Sequence, residues 1–136
     1  MAAAKTPAAS RDRPHANANF MVEFGAGERG GFAEVIFAPF TTGGDGVPLG
    51  NRVVLRRGAT GALDLYDWWN QARRGKAPPR RVVKVKLLAE DHKTVVLTWR
   101  FRNVKPLSLA YSPLNALEGT VLMETIELTF DDVEIS

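Results

Sequence analysis

The sequence contains no cysteine, which excludes a disulfide framework, a thiolate metal site and a thiol nucleophile. Histidine is nearly as scarce, with only His15 and His92, and there are four serines. No H-x-x-x-H, H-E-x-x-H or G-x-S-x-G spacing occurs, so no convergent acid, base and nucleophile set can be drawn from the residues. The reading is a non-enzymatic chain, with no metal and no cofactor implied. Long apolar runs are missing too. No stretch approaches the roughly 20 residues that a membrane-spanning helix needs, and MAAAKTPAASRDRPHANA lacks the continuous apolar segment of a secretion signal. A soluble protein, made and assembled in the cytoplasm without membrane insertion, is expected.

Cations are absent from the C-terminal end. Up to Lys105 the chain carries 18 Lys and Arg against nine acids, a balance of +9; beyond it stand six acids and no cation, a balance of −6. Opposed surfaces of this kind let one copy attract another head to tail, and such contacts generate rings or filaments. Neutralisation between neighbouring strands of one chain is the alternative. Candidates for contacts between subunits are Arg56, Arg57, Arg80 and Arg81 on the basic side and Glu124, Glu127 and Asp131 on the acidic side.

With 136 residues and 45% apolar content, one domain is expected. Residues 1–17, rich in Ala, Pro and Arg without periodicity, read as a flexible arm, and residues 18–136 as a β domain. Phe20, Val22 and Phe24 alternate with Met21 and Glu23, the period of a half-buried strand. Further strands are expected over Gly31 to Ala38 and Arg52 to Arg57, joined by the Gly/Pro-rich loop Thr41 to Gly50. One helix is expected from Ala62 to Arg74, where Leu65, Trp68, Trp69 and Ala72 fall on one face and Gly75 provides the stop. Pro78 and Pro79 prevent continuation.

Three β segments follow: Arg81 to Ala89, Thr94 to Asn103, and a long one from Val121 to Glu134. AEDHK is read as the hairpin turn between the first two. The core candidates are Trp68, Trp69, Trp99, Phe101, Ile126 and Leu128. The pattern is mostly β with one helix, an antiparallel β-sandwich or partly closed barrel.

Two motifs invite chemistry and do not support it. Gly25, Gly27 and Gly30 spell G-x-G-x-x-G, but the following GFAEVIFAPF is β-branched, aromatic and closed by proline, so no helix N-terminus meets a phosphate. The run Arg73, Arg74, Lys76, Arg80, Arg81, Lys84, Lys86 has no intervening acid, which suits a basic nucleic-acid-binding module. Its aromatics, Trp68 and Trp69, sit on the helix face instead of between the cations as a stacking platform requires.

Several segments, taken in order, resemble the inner tail tube proteins of contractile-tailed phages and phage-derived contractile injection systems. Leu55, Arg56, Arg57 and Gly58, followed by Leu65, Tyr66, Asp67, Trp68, Trp69 and Asn70, resemble that family's strand and acidic-aromatic helix. Trp99, Phe101, Asn103 and Pro106 are similar to its W-x-F-x-N segment. Pro113, Asn115 and Ala116, then Met123, Glu124, Thr125, Ile126, Glu127 and Leu128, resemble its closing stretch. The resemblance implies a hexameric ring with a β-barrel lumen, stacked into a tube. The implied partners are further copies, sheath and baseplate proteins, and a payload protein or DNA in the lumen. The connection Phe40 to Gly50 is shorter than the family's, which raises a tube-initiator or terminal-ring variant as the alternative.

Overall fold

The computed structural model describes residues 14–25, 29–41, 51–75 and 81–136. Most of the expected arm, Gly27, the loop 42–50, and Lys76, Pro78, Pro79 and Arg80 lie outside the described residues. Within them the chain runs β1 (Phe20–Glu23), β2 (Arg29–Gly30), β3 (Glu34–Phe37), β4 (Arg52–Gly58), α1 (Asp64–Arg73), β5 (Arg81–Leu88), β6 (Val95–Tyr111), β7 (Met123–Thr129) and β8 (Asp132–Ile135). Every pairing is antiparallel, in the order β2-β1-β5-β6-β7-β4-β3, with β8 also paired to β6.

The frame is a long bent hairpin. The 17 residues of β6 span about 56 Å at roughly 3.3 Å each. Its first half lies between β5 and β8, while its second half pairs with β7. The change falls at Asn103, which has φ +54°, and at the register shift between Pro106 and Ser108. Asparagine enters the left-handed region more readily than other residues with a Cβ, and proline, with no amide to give, is tolerated at a bulge. The final strand expected as one piece bends in step. It breaks at Phe130 and Asp131, where the Asp131 amide donates to the Arg102 carbonyl at 3.0 Å. The expected Thr94 to Asn103 strand is accordingly longer than the alternation suggested, because Asn103 and Pro106 redirect it without ending it.

The two sheets close over one core. Val22, Val83, Val85 and Phe101 from the β1-β5-β6 side cluster with Val53, Leu55, Ile126 and Leu128 from β4 and β7, together with Leu65 and Trp68 of α1. Trp68 stacks on Phe24 with centroids 6.5 Å apart, and the Arg81 guanidinium stands 4.4 Å from its ring centre. Phe101, Ile126 and Leu128 are fully buried, while Trp99 is half-buried against Phe37. Trp69 is only half-buried, with the Arg73 guanidinium 5.0 Å from its ring. The apolar face of α1 is therefore centred on Leu65 and Trp68, and Trp69 flanks it. At the helix end Gly75 has φ +71°, the left-handed stop that glycine allows. β2 and β3 end the strand order without pairing to each other, so among the described residues the arrangement is a sandwich and not a closed barrel.

The hinge in β6 is testable. Asn103→Val places a β-branched side chain in the left-handed region and should lower stability by about 1–2 kcal/mol, whereas Asn103→Gly should be nearly neutral. Urea midpoints of the two variants against the parent chain measure this.

Candidate assembly surfaces

The acidic C-terminal strands and the basic strands before them are neighbours in the sheets, and most of their charges meet within one chain. Register places Arg57 opposite Glu124 and Arg56 opposite Thr125. The Arg57 Nε donates to Glu124 Oε1 at 2.7 Å and its Nη1 to Asp64 Oδ2 at 3.2 Å, while Nη2 bonds Asp64 Oδ1. The Tyr111 hydroxyl donates to the other Glu124 oxygen at 2.9 Å, and the Phe32 ring centre lies 5.4 Å from the guanidinium carbon. Arg57 is 7% exposed and Glu124 4%. This cluster ties the first residue of α1 to β4, β7 and the end of β6.

Its physical chemistry follows from burial. Desolvation works against the Arg57 charge, but the hydrogen bonds to Asp64 and Glu124 outweigh it and raise its pKa. The hydrogen bond from Arg57 holds the Asp64 carboxyl below the usual carboxylate range. Burial, reinforced by the hydrogen bond to Glu124, pushes the Tyr111 hydroxyl up. Arg57 and Glu124, expected as candidates for contacts between subunits, are matched to each other inside the protomer, as a buried guanidinium must be.

The other nominated residues are placed as follows. Arg56 bridges Glu34 at 2.9 Å and donates to Thr125 at 3.3 Å. Glu127 receives Arg52 at 3.5 Å. Arg81 donates to the Phe24 carbonyl at 3.1 Å and covers Trp68, so it serves the core. Asp131 is exposed at the bend, and Arg80 lies outside the described residues. On the outer face of the β5-β6-β8 sheet, Lys86 meets Glu23 at 2.7 Å, Arg100 meets Glu134, and Arg102 meets both Asp132 and Glu134. Between the two readings of the charge asymmetry, the structure favours neutralisation within one chain.

The surface also exposes a group of apolar side chains, and the alternation of residues did not reveal it. The hairpin tip between β6 and β7 holds Leu114 at 87% exposure, Leu117 at 96% and Val121 at 71%. The tip is nevertheless held in shape. The Leu117 amide donates to Asn115 Oδ1 at 2.9 Å, Ser112 and Met123 exchange bonds of 2.9 and 2.8 Å, and the Ala59 amide donates to the Leu122 carbonyl at 2.8 Å. A second apolar feature is a groove of about 750 Å³ whose lining includes Phe20, Val35, Phe37, Val85, Leu87 and Trp99. Three leucine-like residues in a turn-rich SPLNALEGTV stretch were the available signal for the tip. Among the described residues no group of three His, Asp or Glu could hold a metal ion, and no helix is long and apolar enough to cross a membrane.

The family model described as T4-like virus tail tube protein gp19 matches residues 50–134. Among solved structures, an extracellular contractile injection system, the PVC sheath-tube complex in its extended state, contains a chain similar to this one. The two share 19% identity and a TM-score of 0.80, covering 100% of this chain and 98% of the other. A chain in the anti-feeding prophage cap, an AFP tube terminating cap, gives 22% identity and a TM-score of 0.76, with 91% of each chain covered. Hcp1 from Flavobacterium johnsoniae gives 16% and 0.65, with 86% of this chain and 94% of that one. No curated protein sequence matches.

The Arg57 cluster yields a prediction with a sign. Asp64 is depressed on folding, so its contribution is present above the ordinary aspartate pKa and is lost as pH falls through the lowered folded value. Stability should drop below about pH 4. Asp64→Asn should flatten that acid limb and cost about 1–2 kcal/mol at pH 7, and Glu124→Ala, which strips a buried partner, about 3–5 kcal/mol. Urea melts from pH 2.5 to 7 read all three.

Proposed function

The chain belongs to the T4-like virus tail tube protein family, and from that premise we propose that it is the main tube subunit of a phage-tail-like contractile injection particle. Copies form hexameric rings, and the rings stack into a hollow tube. The family is structural, and its match over more than half of the chain carries the reading. The likeness of fold to a chain of a sheath-tube complex supports it over the full length of this chain.

In this reading the subunit works mechanically. The tube encloses a passage for a payload protein or DNA, meets a baseplate at one end, and is surrounded by a sheath. The alternative within the same machine is a terminal ring or an initiator, which the likeness to the tube terminating cap keeps in view. A basic nucleic-acid module is less well supported, because Arg81 and Lys86 are engaged within the chain and Arg73 lies against Trp69.

Purified protein viewed by negative-stain electron microscopy across a concentration series should show six-fold rings, lengthening to hollow tubes as concentration rises. Rings that never stack would favour the terminal-ring alternative. A chain that stays monomeric throughout would overturn the tube reading.

A further inference from the structure

The first half of β6 is well suited to pairing with a copy of itself, and a four-residue strand covers its far edge. We infer that β8 is a guard strand: it occupies the edge of β6 on which the same segment of a second copy would otherwise pair, and so keeps copies from associating through that strand. The inference goes beyond the tube reading, since it applies to an isolated protomer as much as to a member of a ring.

The covered segment is one that needs a guard. Val95 to Phe101 reads VVLTWRF, a run with Arg100 as its one charge and with neither glycine nor proline. Short segments of this composition, presented at a sheet edge, pair with copies of themselves. On one side β5 covers the run, from Leu88 opposite Val95 to Val83 opposite Phe101. On the other side, among the described residues, β8 is the strand that stands beside it.

The cover is fixed in place by its backbone. β8 sets Ile135 opposite Trp99, Glu134 opposite Arg100, Val133 opposite Phe101 and Asp132 opposite Arg102. Both of its ends are tied. The Asp131 amide donates to the Arg102 carbonyl at 3.0 Å, and Thr98 and Ser136 exchange backbone bonds of 2.9 and 3.0 Å. Val133 packs against the core. The ion pairs Arg100–Glu134 at 3.5 Å and Arg102–Asp132 at 3.8 Å are exposed and add little, so the ladder and Val133 hold the cover.

β8 is itself a poor template. It begins just after the bend at Phe130 and Asp131 and runs only from Asp132 to Ile135. Because Thr98 and Ser136 exchange both bonds, alternation along an antiparallel pair turns the Glu134 amide toward β6 as well and leaves Val133 and Ile135 to point their backbone groups outward. A strand arriving at β8 meets those two residues alone. One arriving at an uncovered β6 would meet Thr98, Arg100 and Arg102 on a strand continuous with Val95, Val96 and Leu97. Short strands that bear charge are a common way of blunting a sheet edge, and Asp132 and Glu134 supply the charge here.

Proline tests this through the direction of the amide it removes. Ser136→Pro and Glu134→Pro each delete a donor to β6, whereas Ile135→Pro deletes one that points away from it. Val22→Ala, a core truncation on β1, controls for lost stability. The growth of thioflavin-positive, irregular aggregate is timed at urea concentrations that give every chain the same folded fraction. Ser136→Pro and Glu134→Pro should aggregate at least about tenfold faster than the parent chain, with Ile135→Pro and Val22→Ala at the parental rate. A parental rate for Ser136→Pro overturns the inference, and this arm stands even if Glu134→Pro does not fold. Ile135→Pro or Val22→Ala aggregating as fast as the ladder variants also overturns it, because general loosening would then be the cause.

Discussion

The bend in the β6 and β7–β8 hairpin is the constraint on which the rest of the protomer depends. A straight ribbon of that length would belong to one sheet. By turning at Asn103 and Pro106, and correspondingly between Thr129 and Asp132, the ribbon offers its first half to β5 and its second half to β4. The two sheets that grow from these halves then share Phe101, Val104, Ile126 and Leu128 in one core. The residues that resemble a family signature, Trp99, Phe101, Asn103 and Pro106, acquire physical roles here. The first two face the opposite sheet, and the last two turn the strand.

The charges follow from that frame. Because the acidic strands β7 and β8 are laid beside Arg-bearing strands β4 and β6, the imbalance of +9 and −6 along the sequence becomes a set of local pairs. Most are exposed and contribute little each. The Arg57 cluster differs, since two carboxylates and a tyrosine hydroxyl surround one buried guanidinium. Its value is positional: it sets where α1 leaves β4, and so where Trp68 enters the core.

How much of this was legible in the sequence can be traced residue by residue. The strand periods at Phe20–Phe24 and Val83–Leu87, the helix around Leu65 and Trp68, and the AEDHK turn were all readable, because each is decided by neighbours in sequence. In that turn Asp91 accepts from the Lys93 and Thr94 amides, each at 2.8 Å, and also from the Thr94 hydroxyl, and its pKa is lowered to about 2. The continuation of β6 beyond Asn103 was not readable, since a left-handed asparagine followed by proline normally signals a stop. The fate of Arg57 and Glu124 was hidden for another reason. They are 67 residues apart, and only the β4–β7 register decides that they face the core instead of solvent.

Many of the strand charges are matched inside the protomer, and the surface also carries apolar side chains that could bring copies together. Ile36 and Phe37 on the terminal strand β3, Tyr111 and the residues of the hairpin tip, and the groove between the sheets are all incompletely covered. Apolar contacts strengthen with the area withdrawn from water and are little weakened by salt. An assembly built on such surfaces would hold across ionic conditions. Exposed pairs such as Arg52 with Glu127 and Arg100 with Glu134 contribute little each and are screened by salt, so the cohesion of the protomer rests on its apolar core.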